Sequence, residues 1–163
     1  SLFSPLNDEA PAEDADAVYL PGGYPELHAP LLAGNHLFLT GLSQAAARGA
    51  AVYGECGGFM VLGEGLVDAS GARHKMAGLL ALETSFAQRR LHLGYRRLVL
   101  GEDFAGLKTG QALRGHEFHY ASTLSSGGDA PLFRLAGGDE TTGLRRGSVA
   151  GSFMHLIDLD GDC

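Results

Sequence analysis

Residues 54–58 read G-E-C-G-G, so one of the two cysteines in the chain lies among three glycines directly after the apolar run A-A-V-Y. The pattern G-x-C-x-G is the cysteine counterpart of the nucleophile elbow, a sharp strand-to-helix turn. Glycines let neighbouring backbone approach such a turn without a Cβ clash, and the helix N-terminus favours a thiolate. The pattern therefore predicts that Cys56 is a reactive nucleophile, with a merely buried cysteine as the alternative.

A cysteine nucleophile in acyl transfer needs a base, which can be distant in sequence. Among seven histidines, His155 in G-S-F-M-H-L-I-D follows a strand-like segment and is a candidate for a loop at the end of a sheet. His116 and His119 in G-H-E-F-H-Y would point to opposite faces of a strand and do not match H-E-x-x-H, so no metal site is predicted. The remaining histidines are interpreted as surface residues: His28, His36, His74 and His92.

The amino-acid composition and net charge of the chain argue against several classes of function. A chain of 163 residues with 45% hydrophobic and 19% charged residues predicts one globular domain with its own core. A net charge of −7 argues against nucleic-acid and membrane-surface partners, which would need a basic patch. The apolar runs fall short of the ~20 residues that cross a bilayer. Two cysteines, Cys56 and Cys163, are too few for a disulfide framework, so a reducing, cytoplasmic setting is expected.

Strands alternate with helices early in the chain and dominate later. Residues 16–20 predict a buried parallel strand ending in P-G-G, a helix capped by Asn35 closes at Gly49, and residues 50–53 form the next strand. Further strands or hairpins are predicted at residues 79–86, 91–100, 113–124, 132–135 and 144–153. The pattern predicts an α/β fold with an antiparallel extension.

Four ordered motifs carry a family resemblance. They are Y-L-P-G-G-Y-P-E at 19–26, Y-G-E-C-G-G-F-M at 53–60, G-H-E-F-H-Y at 115–120 and G-S-F-M-H-L-I-D at 151–158. Together they closely resemble the class I glutamine amidotransferase domain of cobyrinic acid (or hydrogenobyrinic acid) a,c-diamide synthases. The resemblance implies a flavodoxin-like, three-layer α/β fold with a mostly parallel central sheet and an antiparallel extension.

The same resemblance implies the chemistry. Cys56 would attack the side-chain amide of glutamine, His155 would act as the base, and the ammonia would pass to an ATP-dependent synthetase domain. By elbow geometry, the N–H of Gly57 would stabilise the oxyanion, and the loop G-G-Y resembles the oxyanion loop of the class, which adds Gly23 and Tyr24 as candidates.

One position departs from the wider class. Class I amidotransferases place a glutamate two residues after the base to orient it, whereas this chain has Ile157 there. The resemblance implies that the cobyrinic subgroup lacks that glutamate. The orienting group is left open at this point, and Glu55 and Asp158 are only neighbours in sequence.

The resemblance also sets the expected extent of the domain. Residues 2–6 look like the end of the second strand of the family, so residues 1–163 are expected to be a glutaminase domain lacking its first strand and helix. The chain has no G-x-x-x-x-G-K-[ST] motif, which puts the ATP-binding synthetase domain outside it. We therefore expect no cofactor here, ATP, Mg²⁺ and a corrin substrate in the full-length enzyme, and self-association through an exposed strand edge.

Other functions stay open at this level. A glutaminase of the cobyric acid synthase type would amidate other side chains of the same ring, and a related amidotransferase would act on a cell-wall lipid precursor. A protein of another class would be a non-catalytic regulatory or interaction domain that kept the fold. Glutamine hydrolysis would distinguish this last possibility from the enzymes.

Overall fold

The computed structural model describes residues 1–161, so Cys163 lies outside the described residues. The described part contains three α-helices and twelve strands. In chain order they are β1 (Ala17–Leu20), α1 (Ala29–Gly34), α2 (His36–Ala47), β2 (Ala51–Glu55), α3 (Gly57–Leu62), β3 (Gly65–Val67), β4 (Arg73–Lys75), β5 (Leu82–Ser85), β6 (His92–Leu100), β7 (Ala112–His119), β8 (Ser122–Ser126), β9 (Ala130–Leu135), β10 (Thr141–Arg146), β11 (Val149–Ser152) and β12 (Met154–Leu159).

Eight strands form the main sheet in the order β1-β2-β11-β10-β9-β6-β7-β12. The α/β class is confirmed, but the expectation of a mostly parallel sheet is wrong. Only the pairs β1–β2 and β2–β11 are parallel, and the other five neighbouring pairs are antiparallel. That expectation came from the family resemblance and had no independent support from the residues, since short apolar runs bounded by glycine do not reveal strand direction. Strand β1 forms one edge, and self-association there stays a prediction.

The main sheet curls back on itself. Only Phe153 separates β11 from β12, yet β11 pairs with β2 near one end of the strand order and β12 pairs with β7 at the other end. Strands that follow each other in the chain must lie close in space. The sheet therefore bends until β12 returns to the vicinity of β2 and β11, in the manner of a partly closed barrel.

A second sheet has the order β4-β3-β5-β8. The single strand predicted at residues 113–124 is wrong, because the chain leaves the main sheet after His119 and enters the small sheet at Ser122. Ala121, between the two strands, is fully buried. The predicted hairpin at residues 144–153 is confirmed, with Gly147 at a φ of 58° in the turn between β10 and β11.

Helix α2 confirms the prediction that followed Asn35, but the cap is different. The Asn35 side chain donates to Pro5 O at 2.6 Å, and Asp8 Oδ1 accepts from the free N–H of Phe38 at 2.9 Å. The capping oxygen thus comes from an earlier loop and not from the residue before the helix. Gly49 ends the turn with a φ of 86°, as its position predicted.

The buried apolar residues form two clusters. The larger one packs α2 and α3 against β1 and β2 and reaches β5 through Leu82. The smaller one joins β6, β7, β9, β11 and β12 within the curl, with Leu98, Phe133 and Met154 among its members. Strands from both sides of the curl share this cluster, so burial of apolar side chains holds the curl closed. Among residues 1–161, no helix has the length and hydropathy of a membrane span.

Candidate active site

The turn between β2 and α3 has the geometry of a nucleophile elbow. Cys56 has φ 50° and ψ −104°, a conformation that side-chain-bearing residues rarely adopt and that costs about 1–3 kcal/mol. Its N–H donates to Ser152 O at 2.8 Å, which ties the turn to the end of β11. The sharp strand-to-helix turn predicted from G-x-C-x-G is confirmed.

The glycines around Cys56 are required for space. A Cβ on Gly54 would lie 2.7 Å from the carbonyl of Gly58, and a Cβ on Gly57 would lie 2.8 Å from the N and O atoms of Gly23. A Cβ on Gly58 would overlap the carbonyl oxygen of Leu20. Backbone therefore contacts backbone on three sides of the turn, and no side chain larger than hydrogen fits there.

Cys56 and His155 line the same cavity of about 290 Å³. The loop after β1 forms one wall of this cavity with Gly22, Gly23 and Tyr24. A Cβ on Gly22 would lie 2.9 Å from His155 Cε1 and 3.6 Å from Cys56 Cβ. The absence of a side chain at position 22 therefore leaves room for both functional side chains.

Glu55 orients the His155 ring. The distance between His155 Nδ1 and Glu55 Oε1 is 3.1 Å, and the Leu156 N–H donates to Glu55 Oε2 at 3.1 Å. An ionised carboxylate only accepts hydrogen bonds, so in neutral His155 the proton must be on Nδ1 and Nε2 must be the free base. The residue that precedes the cysteine thus occupies the orienting role that sequence reasoning left open.

The Glu55 carboxylate is itself held in place. The Tyr19 hydroxyl donates to Glu55 Oε1 at 3.1 Å, and Glu55 is only 8% exposed. Burial, followed by the charge of Glu55 and the hydrogen bond to it, raises the pKa of Tyr19 to about 12, so the hydroxyl stays a donor. Asp158, which is close to His155 in sequence, pairs instead with Arg114 at the surface.

The resting thiol of Cys56 is not ionised. Its residue is 7% exposed, and burial raises the pKa of Cys56 to about 11, with the charges of Glu55 and Glu26 acting in the same direction. Burial thus opposes the thiolate that the helix N-terminus was expected to favour, and the Gly57 N–H acts in the expected direction but is outweighed by desolvation. Sγ donates a weak hydrogen bond to Phe118 O at 3.7 Å. Within residues 1–161 no hydrogen bond links Sγ to His155.

Two backbone N–H groups lie at the elbow, those of Gly57 and Gly23. The Gly57 N–H forms a hydrogen bond with Cys56 that favours the thiolate, and Gly23 N lies against Gly57. In the described part of the chain, neither the Gly23 N–H nor the Gly57 N–H donates to a carbonyl. Tyr24 lines the cavity with its side chain exposed.

Comparison with known proteins identifies the family. The family model described as the CobB/CobQ-like glutamine amidotransferase domain matches residues 1–162. The chain belongs to this family. It is 59% identical over 166 residues to the hydrogenobyrinate a,c-diamide synthases of Brucella anthropi and Brucella abortus, and 57% identical over 165 residues to that of Rhizobium meliloti. The matches cover 98–99% of this chain but only 37% of each relative.

Solved structures agree with this membership at the level of the fold. A glutamine amidotransferase superposes with a TM-score of 0.61 at 21% identity, covering 86% of this chain and 70% of that protein. The structure of PurLQS from Thermotoga maritima superposes with a TM-score of 0.60 at 16% identity, covering 88% of this chain and 70% of that protein. The glutamine amidotransferase fold is therefore confirmed.

A histidine stack borders the amidotransferase cavity. The rings of His119 and Phe153 lie 3.8 Å apart at 14°, and His92 stacks on His119 at 4.5 Å and 3°. His92 is therefore partly buried in a stack and is not the surface residue that the sequence predicted. Burial lowers the pKa of His119, whereas Glu117, 3.2 Å from Nε2, acts in the opposite direction.

The geometry of this stack does not suit a metal ion. Ligand atoms of His92, Glu117 and His119 lie within 4.8 Å of one another. The lone pairs of an imidazole lie in its ring plane, so two parallel stacked rings cannot both point at one ion. His119 Nδ1 also faces Ala121 O at 3.0 Å. The geometry favours a stacked, hydrogen-bonded pair over a metal centre.

Proposed function

We propose that this chain is the glutaminase part of a hydrogenobyrinate a,c-diamide synthase. It would release ammonia from glutamine for ATP-dependent amidation of the a and c carboxylates of the corrin precursor in cobalamin biosynthesis. The observation that carries the proposal is the single cavity lined by Cys56 and by His155, whose ring is held by Glu55. The names of the relatives support the choice of corrin substrate.

The reaction begins with transfer of the Cys56 proton to Nε2 of His155 as Sγ attacks the amide carbon of glutamine. Proton loss at the moment of attack suits a thiol whose pKa is raised to about 11, because a free thiolate is not needed beforehand. The C–N bond then breaks, and the His155 imidazolium gives its proton to the leaving nitrogen. Ammonia departs and a γ-glutamyl thioester remains on Cys56.

Water completes the cycle. His155 takes a proton from the attacking water, the C–S bond breaks, glutamate leaves, and the proton returns to the sulfur. The Glu55 carboxylate accepts the hydrogen bond from Nδ1 and stabilises the imidazolium that forms twice in each turnover. The N–H groups of Gly57 and Gly23, which lack carbonyl partners among the described residues, supply hydrogen bonds to the tetrahedral oxyanion. Tyr24 would contribute through its own N–H in the same loop.

The acceptor half of the reaction belongs to the remainder of the longer relatives. The chain spans 37% of their length and contains no G-x-x-x-x-G-K-[ST] loop, so its own residues do not fit a bound ATP–Mg²⁺. We therefore assign ATP, Mg²⁺ and the corrin substrate to the rest of the full-length protein and only glutamine to this domain. The acidic, cysteine-poor composition supports a cytoplasmic location.

Comparison of two nitrogen donors tests this division. In the full-length protein, Cys56→Ser should lower glutamine-dependent diamide formation by at least ~10⁴-fold while amidation with a high concentration of free ammonia continues. His155→Ala should lower only the glutamine-dependent rate, by ~10²–10⁴-fold. The measurement is the initial rate of ATP-dependent amidation with each donor. Equal losses with both donors would assign Cys56 to structure or to the synthetase chemistry.

A further inference from the structure

Glu26 is a carboxylate that the proposed reaction does not use. It lies in the short 3₁₀ turn Pro25–Leu27, directly after the glycine loop that forms one wall of the cavity. Its Oε2 atom is buried and has no hydrogen-bond partner among the described residues. A buried carboxylate oxygen without a donor is costly, and such groups in native proteins normally have a partner.

Glu26 and Glu55 differ in the hydrogen-bond donors that their oxygens receive, although both carboxylates influence the pKa of Cys56. The oxygens of Glu55 are engaged by His155, Leu156 and Tyr19, whereas Oε2 of Glu26 has no donor. Glu26 and Cys56 line the same cavity, and the charge of Glu26 contributes to the raised pKa of Cys56. Glu26 is thus a carboxylate in the wall of the cavity that contains the reacting sulfur, with capacity for one more donor.

The cavity contains no other group that would neutralise this charge permanently. The described residues that line it include neither lysine nor arginine, and its two histidines are His119 and His155. Burial disfavours the cationic form of His119, and His155 directs its Nδ1 proton to Glu55. No lining side chain of the described residues thus supplies a permanent cation to Glu26, and a primary ammonium group on a bound molecule fits a carboxylate with charge-assisted hydrogen bonds.

We propose that Glu26 binds the α-ammonium group of the glutamine whose side-chain amide is attacked by Cys56. The inference rests on the proposed glutaminase function and specifies how the substrate is recognised. With its amide at the sulfur and its ammonium at Glu26, glutamine lies along the cavity between the elbow and the turn Pro25–Leu27. Glu26 is a specificity-determining residue, and it discriminates against amides that lack an α-amino group.

The test compares two substrates in the full-length protein. L-glutamine and glutaramate carry the same primary amide and the same terminal carboxylate, but glutaramate lacks the α-amino group. Wild type should prefer glutamine in kcat/KM by about 10–100-fold, the range expected for a hydrogen bond to a charged group. Glu26→Gln should lose that factor for glutamine, mainly through KM, and should change hydrolysis of glutaramate far less.

The matched control is Glu102→Gln, which removes an exposed carboxylate paired with Arg145 and should change neither substrate. Equal losses for both substrates in Glu26→Gln would overturn the proposal, because Glu26 would then act on Cys56 or on the fold. An unchanged preference of Glu26→Gln for L-glutamine over glutaramate would overturn the proposal as well. If Glu26→Gln does not fold, the wild-type protein alone tests the inference, because equal kcat/KM values for L-glutamine and glutaramate would contradict it. Failure of wild type to hydrolyse glutamine would instead refute the proposed function.

Discussion

The two ends of the main sheet use glycine for different reasons. At the parallel end, Gly54 and Gly58 allow backbone to pack on backbone, and a Cβ at either position would overlap main-chain atoms. In connections outside the parallel part, Gly106 between β6 and β7 and Gly128 between β8 and β9 have φ near 90°, and no atom of the described residues lies within 4 Å of a hypothetical Cβ there. Space is therefore the constraint beside the active site, whereas the backbone angle is the constraint in the turns.

Carboxylates at the two ends of the main sheet also differ, in burial and in hydrogen-bond partners. Glu55 at the parallel end is almost fully buried, and three donors engage it. Asp158 on β12 is about half exposed and pairs with Arg114 through two hydrogen bonds. Exposed ion pairs contribute little to stability or function, whereas a buried carboxylate that fixes a tautomer contributes to every turnover. Matched substitutions at the two ends should therefore have unequal effects.

The largest difference is expected between Glu55→Gln and Asp158→Asn. Loss of the Glu55 charge should lower kcat for glutamine hydrolysis by about 10²–10⁴-fold, because the amide no longer enforces the Nδ1–H tautomer of His155 or stabilises its cation. Asp158→Asn should change kcat less than about twofold. Steady-state kinetics with measured pH profiles would check this. Similar kcat values for the two variants would show that Glu55 does not orient the base.

A smaller difference is expected in stability between Gly58→Ala and Gly128→Ala. The new Cβ at position 58 meets the carbonyl of Leu20 and should lower the free energy of unfolding by about 3 kcal/mol or more. At position 128 only the left-handed backbone conformation is penalised, by about 1–2 kcal/mol. Denaturant unfolding of both variants gives the two values. A larger loss of unfolding free energy in Gly128→Ala than in Gly58→Ala would contradict the distinction between steric space and backbone angle.

The smallest difference concerns Gly22→Ala and Gly34→Ala. A Cβ at position 22 would lie 2.9 Å from His155 Cε1, so the ring must shift, and a displacement of this kind can lower the rate by ~10²-fold. Gly34, at the end of α1, has nothing within 4 Å of a hypothetical Cβ. Its alanine variant should retain full activity and stability. Equal glutaminase rates for the two variants would contradict the close approach of His155 to the glycine loop.

The sequence predicted the elbow because its geometry is local. Three glycines around Cys56 and an apolar strand before them suffice to indicate a sharp turn before a helix. The role of Glu55 was not predictable in this way, since His155 lies 100 positions later and approaches Glu55 only because β11, which ends three residues before His155, pairs with β2. The fold class followed from alternating apolar runs, but strand direction did not. Glu26 carried no sequence signal beyond its place in the motif Y-L-P-G-G-Y-P-E.

Strands β11 and β12 are adjacent in the chain but far apart in the strand order, so formation of the site depends on both ends of the main sheet. Glu55 lies on β2, and His155 lies on β12, the strand at the opposite edge of the sheet. Ser152 at the end of β11 pairs with Glu55, and His155 follows three residues later, so the hydrogen bond to the base forms once β11 has paired with β2. Pairing of β12 with β7, in which His155 lies opposite His116, then fixes the backbone that carries the base, so the return of glutaminase activity during refolding reports pairing at both ends of the strand order.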